Sequence, residues 1–579
     1  MDNYYSNNKS VQILIALLKA NNIKKIIASP GSANIEFTGS IENDSFFEIY
    51  SSVDERSAAY LACGLAGESG EPVVLSCTGA TASRNYFPGL TEAYYRQLPI
   101  LAVTSTQPIG RADSYSPQFI DRTVQPKDAV KLSVQVGLIS SEEDEWCVNT
   151  QINKAILELN HNGKGPVHIN LTTSNSKDFS VNELPRTRII KRIGYESEFP
   201  EIKAKNVAIY VGSHLPWPDK LTALVESFCE KYNGAVICDH PGNYNGKYKV
   251  NAPLLCSQDY YEANCRKADL IIHIGNVSGA EISLFTNEVW RVNPDGIIRD
   301  TFKKLTKIFE MSEENFFAYY INGDKEVKTS YYEEWINEVG KLKNRQFNLP
   351  FSNTWIASVT IDKLPANSVL YLGVLNSIRN WDYFDLPDNI TCYANTGGFG
   401  TDGMLSASIG ASLYNPNKLY FGVLGDLSFF YDMNVIGNRH VGNNVRFMVI
   451  NNGRGTEFTN YNNTGSLFGK DVDNYIAAAG HFGNQSPELI KHYAEDLGYK
   501  YLSARNKEEY LQKMNDFVDS GCMDKPIIFE VFTHSVDESN AIKIMRSLEQ
   551  DTKGATKQAL KTLLGNKGVS KLKKLVGKR

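Results

Sequence analysis

Short apolar runs alternate with stretches of helical periodicity along this chain. Within Val11–Ala20, apolar side chains recur at Val11, Leu14, Ile15 and Leu18, which is the spacing of one helix face. Runs typical of buried strands follow at Ile23–Ala28, Phe46–Val53, Val73–Cys77 and Ile100–Ser105. Because strands that alternate with helices join into a parallel sheet covered on both faces, the first third of the chain predicts an α/β domain.

The same alternation returns twice more. Further strands are predicted at Val207–Val211, Ala235–Cys238, Leu270–Ile274, Val369–Leu372, Lys418–Val423, Val445–Ile450 and Pro526–Phe532. The polar stretch Ser174–Thr187 predicts a linker after the first block. We therefore predict an α/β protein of three doubly wound parallel-sheet domains in series, at residues 1–185, 190–350 and 355–550, followed by a tail at 551–579.

Composition excludes several classes of protein. The 579 residues are 42% hydrophobic and 22% charged, as in soluble globular proteins, and no apolar run approaches the roughly 18 residues that a membrane-spanning helix needs. Met1–Ser10 lacks the positive start and apolar run of a secretory signal. The nine cysteines include no CxxC pair, which favours reduced thiols over disulfides or structural zinc. We therefore expect a cytoplasmic protein.

Charge is unevenly distributed along the chain. The net charge is −5, yet residues 553–579 carry eight lysines, one arginine and no acidic residue. An acidic body argues against nucleic acid as a partner. In the basic tail, leucine and valine recur at helical spacing, so peripheral contact with the inner face of an anionic membrane is one interpretation. A solvated tail that contacts the acidic body is the other.

Two neighbouring predicted strands end in oxygen-rich motifs. GDLS, at residues 425–428, follows one strand, and NNG, at residues 451–453, follows the next. A glycine at a strand end lets the backbone approach a phosphate, while Asp426 and Asn452 offer the oxygen ligands that Mg²⁺ prefers. Each motif alone is typical of a turn. Their pairing in a parallel-sheet context predicts a site for a metal ion and a diphosphate.

These paired motifs resemble the GDG…NN signature of thiamine-diphosphate-dependent enzymes, whose pyrimidine-binding, central and diphosphate-binding domains match the three predicted blocks. The resemblance implies thiamine diphosphate and Mg²⁺ as cofactors, with Asp426, Asn452 and the backbone carbonyl of Arg454 as metal ligands. It also implies a homodimer or homotetramer, with the cofactor between the first domain of one subunit and the third of its partner. The implied cofactor-binding residues are Glu55, Thr401, Gly425, Asp426, Leu427, Ser428, Asn452 and Phe458.

Two of these cofactor-binding positions, Thr401 and Phe458, need separate interpretation. Thr401 stands where many members of the superfamily have a bulky apolar residue that supports the bent cofactor. Phe458 either matches an aromatic residue near the thiazolium ring or is an ordinary core aromatic.

Thiamine chemistry requires a carboxylate beside N1′ of the aminopyrimidine, because protonation there helps to remove the C2 proton. The motif DERSAA, at residues 54–59, supplies Glu55 between a predicted strand and a helix rich in small residues. We expect this carboxyl to be desolvated and catalytic. An exposed glutamate favoured by the helix dipole is the alternative.

Further motifs are similar to those of the MenD-like branch, which decarboxylates 2-oxoglutarate and adds the product to isochorismate in menaquinone synthesis. They are SPGS at 29–32, TGAT at 78–81, GPVH at 165–168 and GTDG at 400–403. However, Ala33, Gln107 and Thr396 stand where that branch has arginine. Because arginine binds carboxylates in a bidentate manner, this loss disfavours the same anionic substrates. The predicted substrate-binding residues are Ser32, Gln118 and Arg379.

We therefore predict a decarboxylating C–C ligase that moves an acyl carbanion from a 2-oxo acid donor to an aldehyde or ketone acceptor, for example in surface-polysaccharide biosynthesis. Three alternatives stay open. They are a simple 2-oxo acid decarboxylase, the synthase of the menaquinone pathway (SEPHCHC synthase) itself, and a non-catalytic membrane-associated scaffold.

Overall fold

Parallel β-sheets organise the protein, as the predicted α/β class requires. The computed structural model describes residues 4–323, 327–480, 486–521 and 524–551. The predicted basic tail therefore lies outside the described residues, apart from Asp551. Among the residues described, no helix is both long and apolar enough to cross a membrane.

The described chain divides into two compact units, of which the first comprises residues 4–194 and 297–308. Its six-stranded sheet has the order β2-β1-β3-β4-β6-β5. The strands are β1 (Lys25–Ala28), β2 (Glu48–Ser51), β3 (Val73–Thr78), β4 (Ile100–Thr106), β5 (Leu132–Val136) and β6 (Val167–Thr172), and the short β7 (Lys191–Ile193) follows. The helices are Lys9–Ala20, Ile35–Ile41, Glu55–Ser69, Thr81–Asn85, Phe87–Tyr95 and Glu142–Glu158.

Small residues bring two helices of the first unit into close contact. A Cβ atom added to Gly89 would lie 2.4 Å from the Cβ of Ala59, so neither position has room for a larger side chain. Helix Glu55–Ser69 begins where Asp54 accepts the backbone N–H of Ser57 at 3.0 Å, which is an ordinary N-cap. The fold thus fixes the position of Glu55 at the first turn of a helix that is buried on one face.

The second unit comprises residues 195–296 and the described residues from 309 onward. Its central strands have the order β10-β9-β8-β11-β12. They are β8 (Val207–Val211), β9 (Gly234–Cys238), β10 (Lys249–Asn251), β11 (Leu270–Ile274) and β12 (Val289–Val292). β13 (Leu305–Phe309) comes next along the chain, and all of its residues but Phe309 belong to the first unit. The helices of this region are Asp219–Tyr232, Pro253–Cys256, Glu313–Tyr320 and Ser330–Lys343.

The last sheet also belongs to the second unit and has the order β15-β14-β16-β17-β19-β18. Its strands are β14 (Val369–Leu372), β15 (Thr391–Tyr393), β16 (Tyr420–Gly425), β17 (Val445–Asn451), β18 (Lys500–Ala504) and β19 (Ile527–Phe532). The helices are Asn353–Thr360, Asn376–Trp381, Met404–Ser412, Asp426–Asp432, Val472–Tyr475, Leu489–Asp496, Lys507–Val518 and Ser535–Met545. β16 and β17, both fully or almost fully buried, lie at the centre of the sheet.

The α/β parallel-sheet class is confirmed. The division into two units does not separate the predicted domains 190–350 and 355–550, so the three predicted sets of bounds stay predictions.

The predicted strand Phe46–Val53 is shorter in the structure, at Glu48–Ser51. The stretch Ser174–Thr187 contains no helix or strand of its own, but Val181 pairs with Tyr5 through the backbone, with Tyr5 N donating to Val181 O at 2.8 Å.

Candidate active site

The ends of β16 and β17 bring the two predicted metal-binding motifs together. The strands are parallel, and Gly425 pairs with Ile450 in register. Asp426 therefore begins the next helix beside the turn that starts at Asn452, and its Oδ2 accepts the backbone N–H of Gly453 at 2.9 Å. Asp426 is only 2% exposed, and burial raises the pKa of its carboxyl to about 7.

The amide oxygen of Asn452 is the second predicted ligand. This Oδ1 is buried and has no hydrogen-bond partner among the described residues. A buried polar atom without a partner costs about 1–3 kcal/mol, so such an atom indicates a missing ligand. Asn452 therefore fits a bound cation that accepts a neutral oxygen ligand.

The third predicted ligand is the carbonyl of Arg454. This oxygen accepts the N–H of Thr456 at 2.9 Å, which leaves its second lone pair free for a cation. The guanidinium of Arg454 is directed to Asp473, with Nη1 2.8 Å from Oδ1. A carboxylate, an amide oxygen and a carbonyl form the hard oxygen set that suits Mg²⁺. The part of the chain that the structure describes contains no cluster of three His, Cys, Asp or Glu side chains suited to a metal.

A buried polar network supports the turn after β17, and sequence reasoning did not find it. Asn451 Nδ2 donates to Glu530 Oε1 at 2.6 Å, and the hydroxyl of Tyr501 donates to Glu530 Oε2 at 2.8 Å. Glu530 is 1% exposed in β19, and burial raises the pKa of its carboxyl to about 6. The sequence signal is a glutamate in the middle of the apolar strand IIFEVF, where a charged residue needs partners.

Four other predicted cofactor residues of the second unit lie at the same helix start, namely Thr401, Gly425, Leu427 and Ser428. Ser428 donates its hydroxyl to the carbonyl of Thr401, which ties the GTDG segment to the helix Asp426–Asp432. A Cβ atom on Gly425 would meet nothing within 4 Å, so this strand end is open to a ligand. Leu427 is partly buried, and Phe458 is 39% exposed. The exposure of Phe458 contradicts an ordinary core role within the single chain.

Glu55 lies in the first unit, at the first residue of its helix. Its Oε2 accepts from Asn85 Nδ2 at 3.2 Å. The side chain is only partly buried, so the desolvated environment expected from the sequence is not present within one chain. The physical reason is that Val53, Asp54 and Arg56 around it are themselves exposed. A single subunit therefore leaves this carboxyl open on one side.

The predicted substrate residues occupy different parts of the structure. In the first unit, Ser32 and Gln118 are exposed, and Gln118 has a left-handed backbone with φ 60°. In the second unit, Arg379 lines a cavity of about 230 Å³. Its Nη1 donates to Glu457 Oε1 at 2.6 Å. The structure brings together the metal-ligand candidates of the second unit, whereas the role of each site residue stays a prediction.

Comparisons with known proteins agree with these observations. The family described as "Thiamine pyrophosphate enzyme, N-terminal TPP binding domain" matches residues 8–126. The 2-succinyl-5-enolpyruvyl-6-hydroxy-3-cyclohexene-1-carboxylate synthase of Bacteroides thetaiotaomicron is 30% identical over 565 residues, covering 93% of this chain and 98% of its own. The synthase of the same name from Bacteroides fragilis is 29% identical over 567 residues, covering 93% of this chain and 98% of its own. That of Flavobacterium johnsoniae is 26% identical over 560 residues, covering 92% of this chain and 97% of its own. The chain therefore belongs to the thiamine-diphosphate-dependent enzymes, among the MenD-like members, as its motifs predict.

Proposed function

We propose that this thiamine-diphosphate-dependent enzyme is a decarboxylating C–C ligase that joins the acyl part of a 2-oxo acid to an aldehyde or ketone acceptor. Family membership makes it an enzyme with thiamine diphosphate and a divalent metal such as Mg²⁺. The observation that carries the proposal is the unpartnered Oδ1 of Asn452 beside the buried carboxylate of Asp426. Both features fit a site that holds a metal and a diphosphate.

The residues of this chain divide the task between binding and proton transfer. Thiamine diphosphate supplies the carbon nucleophile that such enzymes use to cleave 2-oxo acids. Asp426, Asn452 and the carbonyl of Arg454 would hold the metal, and through it the diphosphate. Glu55 would hold the proton at N1′ of the aminopyrimidine, and its hydrogen bond from Asn85 orients the carboxylate for that role.

The proposed acceptor differs from the one implied by the relatives' names. Those relatives are synthases of a cyclohexene carboxylate. In this chain, Ala33, Gln107 and Thr396 carry no charge, and the guanidinium of Arg379 is engaged by Glu457 at 2.6 Å. Bidentate binding of a substrate carboxylate is strongest with an arginine that no neighbouring carboxylate already engages. These features support a less charged acceptor, such as a sugar derivative used in surface-polysaccharide biosynthesis.

A panel of 2-oxo acids tests the proposal on the full chain with thiamine diphosphate and Mg²⁺. CO₂ release is measured first without and then with carbonyl acceptors, and products are identified by mass spectrometry. Acceptor-dependent C–C bond formation supports the ligase, whereas aldehyde release alone would identify a simple decarboxylase. Turnover of 2-oxoglutarate with isochorismate would identify the relatives' reaction. Failure to release CO₂ from any 2-oxo acid by correctly folded, cofactor-loaded protein would contradict enzymatic decarboxylation and favour a scaffold.

A further inference from the structure

A cavity of about 230 Å³ lies within the second unit, beside the segment that carries Arg454. It is bounded by the helix Asn376–Trp381, the segment after Thr456 and the last helix, Ser535–Met545. Five asparagines contribute amide groups to its lining: Asn376, Asn380, Asn460, Asn462 and Asn463. Nothing in the sequence motifs pointed to this concentration of asparagines.

The most informative lining residue is Asn380. It is 1% exposed, and neither its Oδ1 nor its Nδ2 has a hydrogen-bond partner among the described residues. The Oδ1 of Asn460, which is 3% exposed, is also without a partner in the described chain. Asn380 thus has an unused donor and an unused acceptor, whereas the Nδ2 of Asn460 already donates to Glu457 Oε2 at 3.5 Å and only its acceptor is unused. Buried polar atoms of this kind are costly unless a ligand completes them.

Two arginines line the cavity, and each lies beside a carboxylate. Arg379 Nη1 donates to Glu457 Oε1 at 2.6 Å, and its Nη2 lies 3.6 Å from Glu281 Oε1. Arg546 donates through Nε and Nη2 to Oδ1 of Asp259, at 3.2 and 3.0 Å. Each guanidinium is therefore paired with a carboxylate, and the buried Nε of Arg379 has no hydrogen-bond partner among the described residues. The three carboxylates of Glu281, Glu457 and Asp259 outnumber the two guanidinium groups, so the local charge disfavours a further anion.

We infer that this cavity binds a neutral, polyhydroxylated ligand, which is the chemistry of a sugar ring. A hydroxyl group donates one hydrogen bond and accepts others, as an amide side chain also does, so neighbouring hydroxyls satisfy Asn380 and Asn460 together. The carboxylates of Glu457 and Glu281 have further lone pairs that accept hydrogen bonds from ligand hydroxyl groups while both stay paired with Arg379. The inference rests on the proposed function, because it assigns this cavity to the acceptor of the ligase.

Saturation-transfer NMR on the full chain with thiamine diphosphate and Mg²⁺ tests the assignment with matched sugar pairs. The probes are glucose with glucuronate, galactose with galacturonate, and mannose with mannuronate, because each pair differs only in a carboxylate at C6. We expect at least one neutral sugar to bind and its uronate to bind at least about tenfold more weakly. The inference is overturned if none of the neutral sugars binds, or if the uronates bind as well as or better than the neutral sugars.

Two variants link binding to this cavity. Asn380→Ala should weaken the neutral sugar at least about tenfold, while the matched control Asn417→Ala, at an exposed asparagine, should not change it. Glu457→Gln leaves Arg379 less neutralised and should therefore shift the preference towards the uronate, which a purely structural role would not do. Unchanged binding in Asn380→Ala, or an unchanged preference in Glu457→Gln, would also overturn the inference. CO₂ release from the 2-oxo acid without any acceptor is measured separately, and its absence would count against the proposed function rather than against the cavity.

Discussion

Oδ2 of Asp426 accepts the backbone N–H of Gly453 at 2.9 Å and so fastens the start of one helix to the turn that follows the neighbouring strand. Asn452 lies between Gly453 and the end of β17, and its Oδ1 is left without a partner in the described chain. Asp426 thus holds the turn in place, while Asn452 keeps its oxygen available for a metal ion. Substitutions can test these two roles separately.

Asn452→Ala should weaken metal-dependent cofactor binding with little effect on the unliganded protein, because the lost oxygen makes no hydrogen bond there. The neighbouring variant Asn451→Ala is the matched control. It removes the hydrogen bond to buried Glu530 and should cost about 1–3 kcal/mol of stability. Thermal melting with and without thiamine diphosphate and Mg²⁺ measures both effects. Equal destabilisation of the two unliganded variants would contradict the assignment of Asn452.

Glu55→Gln should lower kcat by about 10²–10⁴-fold, because an amide cannot hold the proton at N1′ that the carboxyl would hold. The cofactor should still bind, since the metal-ligand candidates are unchanged. Glu68→Gln, at an exposed position near the other end of the same helix, is the control and should retain activity. Turnover and cofactor titration are measured on all three proteins. Full activity of Glu55→Gln would refute the catalytic role.

Mixing two inactive variants tests whether each site is shared between subunits. If Glu55 of one subunit and Asp426 of its partner form one site, a dimer of Glu55→Gln with Asp426→Ala keeps one unaltered site and one doubly altered site. Random mixing at equal amounts should then restore about a quarter of wild-type activity. The mixture is unfolded and refolded, or co-expressed with two tags, before turnover is measured. No recovery in a purified mixed dimer would mean that both residues act within one chain.

Stability should depend on pH through Glu538. This residue is 2% exposed, and burial raises the pKa of its carboxyl from 4.5 to about 7, despite hydrogen bonds from Thr533 Oγ1 and the N–H of Asn353. The folded protein therefore keeps a proton that the unfolded chain releases, and this contribution to stability is lost as the pH rises from about 4.5 to about 7.

The variant Glu538→Gln removes this dependence. Its Tm relative to the wild type should rise steadily between pH 4.5 and pH 7, whereas Glu508→Gln, at an exposed position, should follow the wild type. Thermal melting across that pH range makes the comparison. A constant difference in Tm at every pH would show that Glu538 is ionised in the folded protein.

The ends of β16 and β17 could be predicted because the last part of each strand, at residues 423–424 and 447–450, is apolar and is followed by turn residues. The three-residue strands β10 and β15 were missed, since so few residues carry no periodicity. The strands β5, β12, β13 and β18, of four or five residues, were not predicted either. The orientation of Asn380 towards a cavity depends on packing between distant segments, which no local pattern encodes. Glu530 likewise acquires its partners Asn451 and Tyr501 only when three strands are adjacent.

Calorimetric titration of thiamine diphosphate into metal-stripped protein, with and without Mg²⁺, tests the central claim most directly. The wild type should bind only when Mg²⁺ is present, and Asp426→Ala should not bind in either condition. The isosteric variant Asp426→Asn keeps the shape of the buried site and serves if the alanine variant does not fold. Equal binding of thiamine diphosphate by the wild type and a folded Asp426 variant, or no binding by the folded wild type with Mg²⁺, would contradict the account.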